Sequence, residues 1–398
     1  MTPLAWAMLV LLVGIVAAGL DVLIGVRKLP RLAAERPREG GGAPLVSIVV
    51  AARDEERGVE EAMGSLLAQH YPALEIVAVD DRSTDRTGAI LDRLATANPA
   101  PGAGGGGSGA AGRPTLRVIH VRELPPGWLG KNHALSVGAA AARGQWLLFT
   151  DADVVMHAET VARTVRFVER SGCDHLALFP DMRMLGILLQ AFVVSFLVWF
   201  TGWIRPWRVR DPRSRWFIGV GAFNLVRASA YARAGGHASI RLRPDDDLKL
   251  GKILKRSGAR QEAGLGHGLI EVEWYRSIGE TIRGLEKNSF AAVEYHAPLM
   301  LGAAFGYLLV GLGPLAALLF GSGPLRLFGA LAAAFQLLLQ ARMAREARVT
   351  VRTAPLYPLT AVLFAWIIVR TLALNLSRGG IVWRGTFYSL EELRRNKV

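Results

Sequence analysis

The sequence has one cysteine, Cys173, in 398 residues. A single cysteine excludes an internal disulfide and fits a reducing compartment; the residue is expected to be buried as a small hydrophobe. Acidic residues are outnumbered, 33 Asp and Glu against 47 Lys and Arg, for a formal net charge of +14. Such a balance would suit nucleic acid, yet there is no RNP-like motif and no basic recognition helix, so no nucleic-acid partner is expected. No basic residue precedes the first apolar run, residues 4–26, so it lacks the leading charge of a cleavable signal peptide and is expected to stay as an anchor. The apolar runs hold no charge pairs and are too few for a transporter.

What is present is apolar surface. The hydrophobic fraction is 51%, and several windows approach or exceed the roughly 18 residues that span a bilayer. Basic residues beside such windows face anionic head groups and mark cytoplasmic flanks; anionic substrates are a second reason for them. Arg27, Lys28, Arg31, Arg36 and Arg38 follow the first run, which puts the N-terminus outside and the next domain in the cytoplasm. The expected organisation is an N-terminal transmembrane helix (1–27), a basic linker (28–44), a cytoplasmic α/β domain (45–296), C-terminal transmembrane helices (297–376) and a basic tail (377–398). The setting is a bacterial-type inner (cytoplasmic) membrane. A count of spans places the tail outside, whereas its basic charge does not decide its side.

Within 45–296, Leu45–Ala52 is a nearly continuous apolar run, as in a strand covered on both faces. A helix is expected over Glu56–Gln69, a strand over Leu74–Val79 closing on Asp80 and Asp81, and a helix capped by Ser83–Thr87 and running to about Ala97. A Gly/Ala-rich loop is expected over 99–114, a strand over Leu116–Val121, a helix over Lys131–Arg143 and a strand over Trp146–Phe149. Alternation of this kind implies a mostly parallel sheet with helices on both faces. Leu185–Ile204 is uncharged and long enough to span. A crossing there would separate residues expected to share one site, so 185–208 is expected to be an interfacial helix, with Trp199, Trp203, Trp207, Arg205 and Arg208 at the head-group boundary. Pro298–Phe320, Pro324–Gln340 and Pro355–Asn375 are the expected spans, with Arg342–Arg352 cytoplasmic between the last two.

Chemistry concentrates in three acidic clusters: Asp80-Asp81, Asp151-Ala-Asp153 and Asp245-Asp-Asp247. Read as extended chain, Asp151 and Asp153 point to one side of a strand end, where open α/β sheets bind ligands. Paired carboxylates there suit a hard divalent ion that also takes phosphate oxygens. Asp245–Asp247 also suit a helix N-terminus, a role that coexists with chemistry.

The clusters occur in an order that resembles family 2 glycosyltransferases with a GT-A fold. The matching residues are Ile48–Glu56, Gln69-His-Tyr-Pro72, Glu75–Asp85, Gly130-Lys-Asn-His-Ala-Leu135 and Asp151-Ala-Asp153, with Gly219–Phe223, Gly235-Gly-His237, Asp246-Asp247 and Gly258 downstream. The resemblance covers about residues 44–290. It implies a nucleotide pocket lined by Ala52, Arg53, Asp54 and Asp81, with Glu56 beside it and Lys131 near the nucleotide or its diphosphate. Asp54 stands where the family usually has Asn. It further implies that Asp151 contacts ribose or metal, that Asp153 coordinates Mg²⁺ or Mn²⁺, and that Asp247 is the general base, with Asp246 completing the pair. Asp245 is the alternative equivalent, because three Asp run together where Glu-Asp is usual. The Gln-x-x-Arg-Trp motif of processive synthases is missing. The region after the base, Glu271–Ser277 and Arg283–Asn288, is similar instead to bacterial membrane glycosyltransferases of the carotenoid- and hopanoid-associated type; Trp274, Tyr275, Arg276, Lys287 and Asn288 are expected to close over the diphosphate and acceptor, or to belong to an amphipathic helix lying on the membrane. The implied activity is metal-dependent, inverting transfer of a hexose from a UDP-linked donor to a lipid acceptor hydroxyl. A polyprenyl-phosphate sugar transferase and a non-catalytic membrane scaffold are the alternatives.

Overall fold

The computed structural model describes residues 1–99 and 114–398, so most of the expected Gly/Ala-rich loop lies outside the described residues. The chain opens with helix α1 (Pro3–Arg27). There follow β1 (Val46–Ala52), α2 (Val59–Leu67), β2 (Leu74–Asp81), α3 (Thr87–Ala97), β3 (Thr115–Val121), α4 (Gly130–Ala141), β4 (Trp146–Asp151) and β5 (Val154–Met156). Next come α5 (Thr160–Ser171), β6 (His175–Phe179), β7 (Asp181–Met182), α6 (Ile187–Ile204), β8 (Asn224–Arg227), α7 (Ala228–Arg233), α8 (Asp246–Arg256), β9 (Gln261–Leu265) and β10 (Ile270–Val272). The chain ends with α9 (Ile278–Ala292), α10 (Ala297–Phe320), α11 (Gly323–Glu346), α12 (Tyr357–Arg378), a hairpin β11 (Gly380–Trp383) and β12 (Thr386–Ser389), and α13 (Leu390–Arg395). These elements divide into two compact units. One holds 1–28, 184–205 and 274–397, and the other 29–183, 206–273 and 398.

The second unit is an α/β domain around a seven-stranded sheet in the order β3-β2-β1-β4-β8-β6-β9. All neighbours are parallel except β8, which runs antiparallel to both β4 and β6. This is the mostly parallel, helix-covered sheet that the alternating pattern predicts. Six of the seven residues of β1 are buried, as a strand covered on both faces requires. Strand register aligns the ends: Ala52 lies opposite Asp80, and Ala51 opposite Asp151. The carboxylates that end β2 and β4 therefore emerge at the same edge as the end of β1. Helices α4 and α8 share one apolar cluster with the sheet, through Leu135, Leu250 and Leu254 packed with Val49, Phe149 and Val226. A second small sheet, β5-β10-β7, begins directly after Asp153.

Three boundaries differ from the sequence-based expectation. α2 begins at Val59 rather than Glu56, because Glu55 and Glu56 donate their backbone N–H groups to side chains of the β2–α3 loop. β4 stops at Asp151 and the chain turns over Ala152 and Asp153 into β5. The two carboxylates are therefore not presented by one extended strand. The tail is folded, with β11 paired to β12 and α13 capped by Ser389.

The helical unit contains five helices long and apolar enough to cross a membrane, α1, α6, α10, α11 and α12. α10 and α11 are antiparallel, since Gln336 donates to the Val310 carbonyl and Gly329 packs on Ala317. α12 is also antiparallel to α10: Gly311 abuts Ala361 and Tyr307 stacks on Phe364. Arg370 and Arg378 on α12 both pair with Glu286 of α9, at 2.9 Å each. The end of α12 is thus held beside the helix that precedes α10. α6 behaves differently from its neighbours. Phe192 and Ser195 touch Phe364 and Thr360, Trp199 stacks on Tyr307 at 4.4 Å, and Arg205 pairs with Asp21 at 3.0 Å. Along its length it meets α12 and α11 at Ser195, α10 at Trp199 and α1 at Arg205.

Glu75 in β2 gives a stability test of the sheet unit. Its buried carboxylate accepts from Ser47 Oγ (2.5 Å), from the Arg143 backbone N–H (2.6 Å) and from Arg143 Nε (3.0 Å). Burial alone would raise its pKa, but these bonds outweigh it and the pKa is lowered. A depressed folded pKa means stability that is present above the unfolded value of about 4.3 and lost as pH falls through the folded value. Glu75→Ala should destabilise the unit by about 2–3 kcal/mol at neutral pH. Glu75→Gln should flatten the acid side of a plot of Tm against pH, measured in detergent.

Candidate functional site

The candidate site lies at the edge where β1, β2 and β4 end, and it is built by the first turns of two helices. Lys131 stands in the first turn of α4, and Asp246 and Asp247 in the first turn of α8. A helix N-terminus favours carboxylates, so the aspartates are placed where the backbone dipole stabilises them. The α4 end is tied to the approach to α8 by Asn132, a buried residue whose Nδ2 donates to the carbonyls of Ile240 (2.8 Å) and Arg243 (2.9 Å). The Leu129 backbone N–H adds a bond to Arg241 O. The Lys-Asn pair in the sequence thus does two jobs: the asparagine fixes the loop, and the lysine meets the acids the loop delivers.

Lys131 Nζ lies 2.7 Å from Asp151 Oδ1 and 3.4 Å from Asp246 Oδ2. Burial would lower its pKa, but Asp151, Asp246 and Asp247 hold it well above the ordinary lysine value, so it is an ammonium. Asp247 Oδ2 accepts from the Gly221 N–H at 2.9 Å and Oδ1 from the Leu248 N–H at 2.7 Å. Burial, and then repulsion from Asp246, raises the Asp247 pKa to about 7. These three acids and Lys131 line a pocket together with Thr150, Gly221, Asn224 and His237. His237 is buried and neutral. The Tyr231 hydroxyl accepts from its backbone N–H at 3.0 Å and shares a hydrogen bond with its Nδ1 at 2.8 Å. Burial first, then the Lys131 charge, lowers its pKa to about 3.

Asp153 keeps an exposed face just beyond the pocket. Desolvation by the packing around it, with repulsion from Asp151 and Glu55, lifts its pKa above the usual carboxylate range. Asp151 and Asp153 are hard oxygen donors of like charge that repel each other, which fits a divalent ion. Among the described residues no group of three His, Cys, Asp or Glu could enclose an ion alone. A site of two carboxylates leaves most positions to water and phosphate oxygens, the arrangement Mg²⁺ prefers and Mn²⁺ tolerates.

The other residues singled out in the sequence have these partners. Asp245 is not a free base: Arg243, itself buried, donates to both of its oxygens at 3.0 and 3.2 Å. Asp54 accepts at Oδ1 from the Thr84 N–H (2.8 Å) and hydroxyl (3.2 Å). An asparagine carbonyl would serve equally, which accounts for the tolerated Asn-to-Asp departure. Glu56 accepts from Arg86. These two carboxylates fasten the β1–α2 loop to the β2–α3 loop. Asp81 is buried at the end of β2 and covered by its neighbour Arg82, which donates to both oxygens at 2.8 and 3.0 Å; Arg53 lies 3.9 Å away. Arg82 reaches over it from a left-handed backbone with φ of 57°. Trp274 and Arg276 belong to the helical unit. There Trp274 stacks on Phe196 at 5.1 Å and the Arg276 N–H donates to Glu280 at 2.8 Å.

Two glycines that the resemblance quoted only as part of a stretch prove indispensable to the geometry. A Cβ on Gly221 would lie 2.7 Å from Asp151 Oδ2, and one on Gly219 only 1.8 Å from the Asp247 carbonyl oxygen. The contrast is testable. A carboxylate can swing away and backbone cannot, so Gly221→Ala should cost about 1–2 kcal/mol and Gly219→Ala about 3 kcal/mol or more. Thermal unfolding of both variants in detergent should show the second as the larger drop in Tm; equal drops would contradict the packing.

Comparison with known proteins bears on the same region. The model of the family described as Glycosyl transferase family 2 matches residues 47–191. The 4,4'-diaponeurosporenoate glycosyltransferase of Staphylococcus haemolyticus is 28% identical over 148 residues, 36% of this chain and 34% of that protein. The beta-monoglucosyldiacylglycerol synthase of Synechocystis sp. is 32% identical over 126 residues, 31% and 23% of the respective chains. The chain spans about a third of the length of the first curated relatives it matches. Among solved structures, a mannosyltransferase from Pyrobaculum calidifontis in complex with GDP-Man and Mn²⁺ superposes with a TM-score of 0.53 over 92% of this chain and 98% of that one, at 17% identity. That likeness establishes the GT-A type of fold.

Proposed function

Residues 47–191 form a family 2 glycosyltransferase domain, and from that premise we propose that the chain is a membrane-bound, inverting transferase. It moves a sugar from a nucleoside-diphosphate donor to the hydroxyl of a lipid-type acceptor. The observation that carries the reading is the pocket in which Asp247, Asp246 and Lys131 converge on Asp151. The chemistry rests on the geometry. Asp247, fixed by the Gly221 and Leu248 N–H groups, takes the proton of the acceptor hydroxyl. The acceptor oxygen forms a bond to the anomeric carbon while the bond from that carbon to the phosphate oxygen breaks on the opposite face. Lys131 presents a permanent positive charge to the departing diphosphate. A divalent ion held by Asp151 and Asp153 would supply the rest of the neutralisation. His237, neutral and held by Tyr231, is a fixed polar wall rather than a competing acid.

The membrane reading rests on the five apolar helices and on chain connectivity. α6 is not a crossing helix in this reading. The strand before it, β6, is hydrogen-bonded to β8 and β9 after it, so both flanks lie on one side of a bilayer. A helix that departs and returns on one side lies at the interface, where its exposed Trp199 and Trp203 suit the head-group region. The lipid nature of the acceptor is supported by that helix, and by relatives named for 4,4'-diaponeurosporenoate and for a diacylglycerol. The donor is a nucleoside-diphosphate sugar, and the catalytic unit faces the cytoplasm in this arrangement.

Asp247→Asn should lower sugar transfer by about 10²–10⁴-fold with folding intact, because a general base contributes that much; lipid mass spectrometry of cells with and without the active gene supplies the acceptor for the assay. The wild-type rate should rise with pH through neutrality, since Asp247 must be deprotonated and its pKa is raised to about 7. Full activity in Asp247→Asn would favour the second reading, transfer to a polyprenyl phosphate, whose acceptor oxygen needs no base. Asp153→Ala should abolish transfer while the protein still folds, and retained turnover would overturn the metal role.

A further inference from the structure

Lys131 occupies the position that decides when Asp151 is free. Asp151 Oδ1 takes the Lys131 ammonium at 2.7 Å, and its Oδ2 lies beside Gly221, 2.7 Å from where a Cβ there would stand. A divalent ion that uses Asp151 therefore competes with a cation the protein already supplies. The lysine has somewhere to go, because Asp246 Oδ2 is only 3.4 Å from the same nitrogen and its side chain is buried, 7% exposed. The ammonium can surrender Asp151 without being left unpaired in a desolvated site, a requirement for any buried charge.

We propose that Lys131 is the resident counter-cation of Asp151, and that it makes occupation by a divalent ion dependent on the donor diphosphate. This rests on the reading of Asp151 and Asp153 as the metal-holding pair. Without a nucleotide, an incoming ion must displace one positive charge from a carboxylate while adding two of its own beside it. With a diphosphate present, its oxygens supply the missing negative charge to both cations, and Lys131 turns to Asp246 and the phosphate. The ion and the nucleotide then bind cooperatively, by the reciprocity that links any two ligands of one protein. No proton is transferred, and Lys131 stays an ammonium throughout. A lysine that only contacts diphosphate would lower nucleotide affinity when removed and leave the affinity for the bare ion unchanged. A resident counter-cation does the opposite to the bare ion.

The test is an electron paramagnetic resonance titration of Mn²⁺ against the full-length protein in detergent, alone and with saturating UDP or GDP. Lys131→Met should bind Mn²⁺ alone about tenfold more tightly than the wild type. The nucleoside diphosphate should tighten Mn²⁺ strongly in the wild type and several-fold less in the variant. Lys131→Arg, which keeps the charge, should retain the weak binding of the bare ion. Lys131→Gln repeats the measurement should the methionine variant not fold. If both neutral variants bind Mn²⁺ alone no more tightly than the wild type, the counter-cation role is overturned while the metal site stands. If none of the proteins binds Mn²⁺ with or without nucleotide, the metal reading falls, and this inference with it.

Discussion

Everything at the edge of the sheet is arranged around one electrostatic constraint: three carboxylates, Asp151, Asp246 and Asp247, share a single ammonium, Lys131. Gathering like charges away from water is costly unless each is paired or hydrogen-bonded. The fold meets the need piecemeal. The first turn of α8 lends its dipole to two of the acids, and the Gly221 and Leu248 N–H groups take the oxygens of Asp247. Asp245, the third acid of the triplet, is removed from the competition by Arg243. The two glycines exist because backbone must come within van der Waals distance of Asp151 and Asp247.

The same edge has a second, quieter half. Asp54, Glu56, Asp80 and Asp85 are spent on fastening two loops. Asp54 takes Thr84, Glu56 takes Arg86, Asp85 takes the N–H groups of Glu56 and Thr87, and Asp80 takes the Ser83 N–H and His120. Loops that carry ligand-binding residues are normally the mobile part of a fold. Here a ladder of side-chain bonds makes them stiff before any ligand arrives, which is the kind of preorganisation that lowers the cost of binding. Arg82 adds a cover to this half, its guanidinium lying over Asp81 from a left-handed backbone.

Much of this edge was legible in the sequence, for a physical reason. Buried parallel strands read as apolar runs, and carboxylates at their ends read as a site because the sheet must present its C-terminal edge to solvent. Asp151 is read in that way, and Lys131 and Asp247 enter only through the resemblance; the fold brings the three side chains into one pocket. What was not legible depends on partners distant in sequence or on conformation. That Arg82 covers Asp81 comes from a positive φ at a non-glycine residue, which no local pattern announces. That Asp153 sits on a turn rather than a strand comes from β5 pairing with β10, more than a hundred residues later. That Asn132 and Gly221 matter comes from carbonyls and carboxylates reached only after folding.

The helical unit makes the same point from the other direction. Hydropathy is a property of a window, and by that measure α6 ranks with α1 and α10 as able to cross a bilayer. Crossing is a property of connectivity. β6 precedes α6, while β8 and β9, which pair with β6, come after it. Strands held by backbone hydrogen bonds cannot be divided between two faces of a membrane, because the unpaired polar groups would be intolerable in hydrocarbon. That pairing is the ground for the proposal that α6 does not cross. Within its own unit α6 is held by all four of the other apolar helices, through Thr360, Gln340, Tyr307 and Asp21, so its apolar composition is accounted for by packing as well as by a lipid phase.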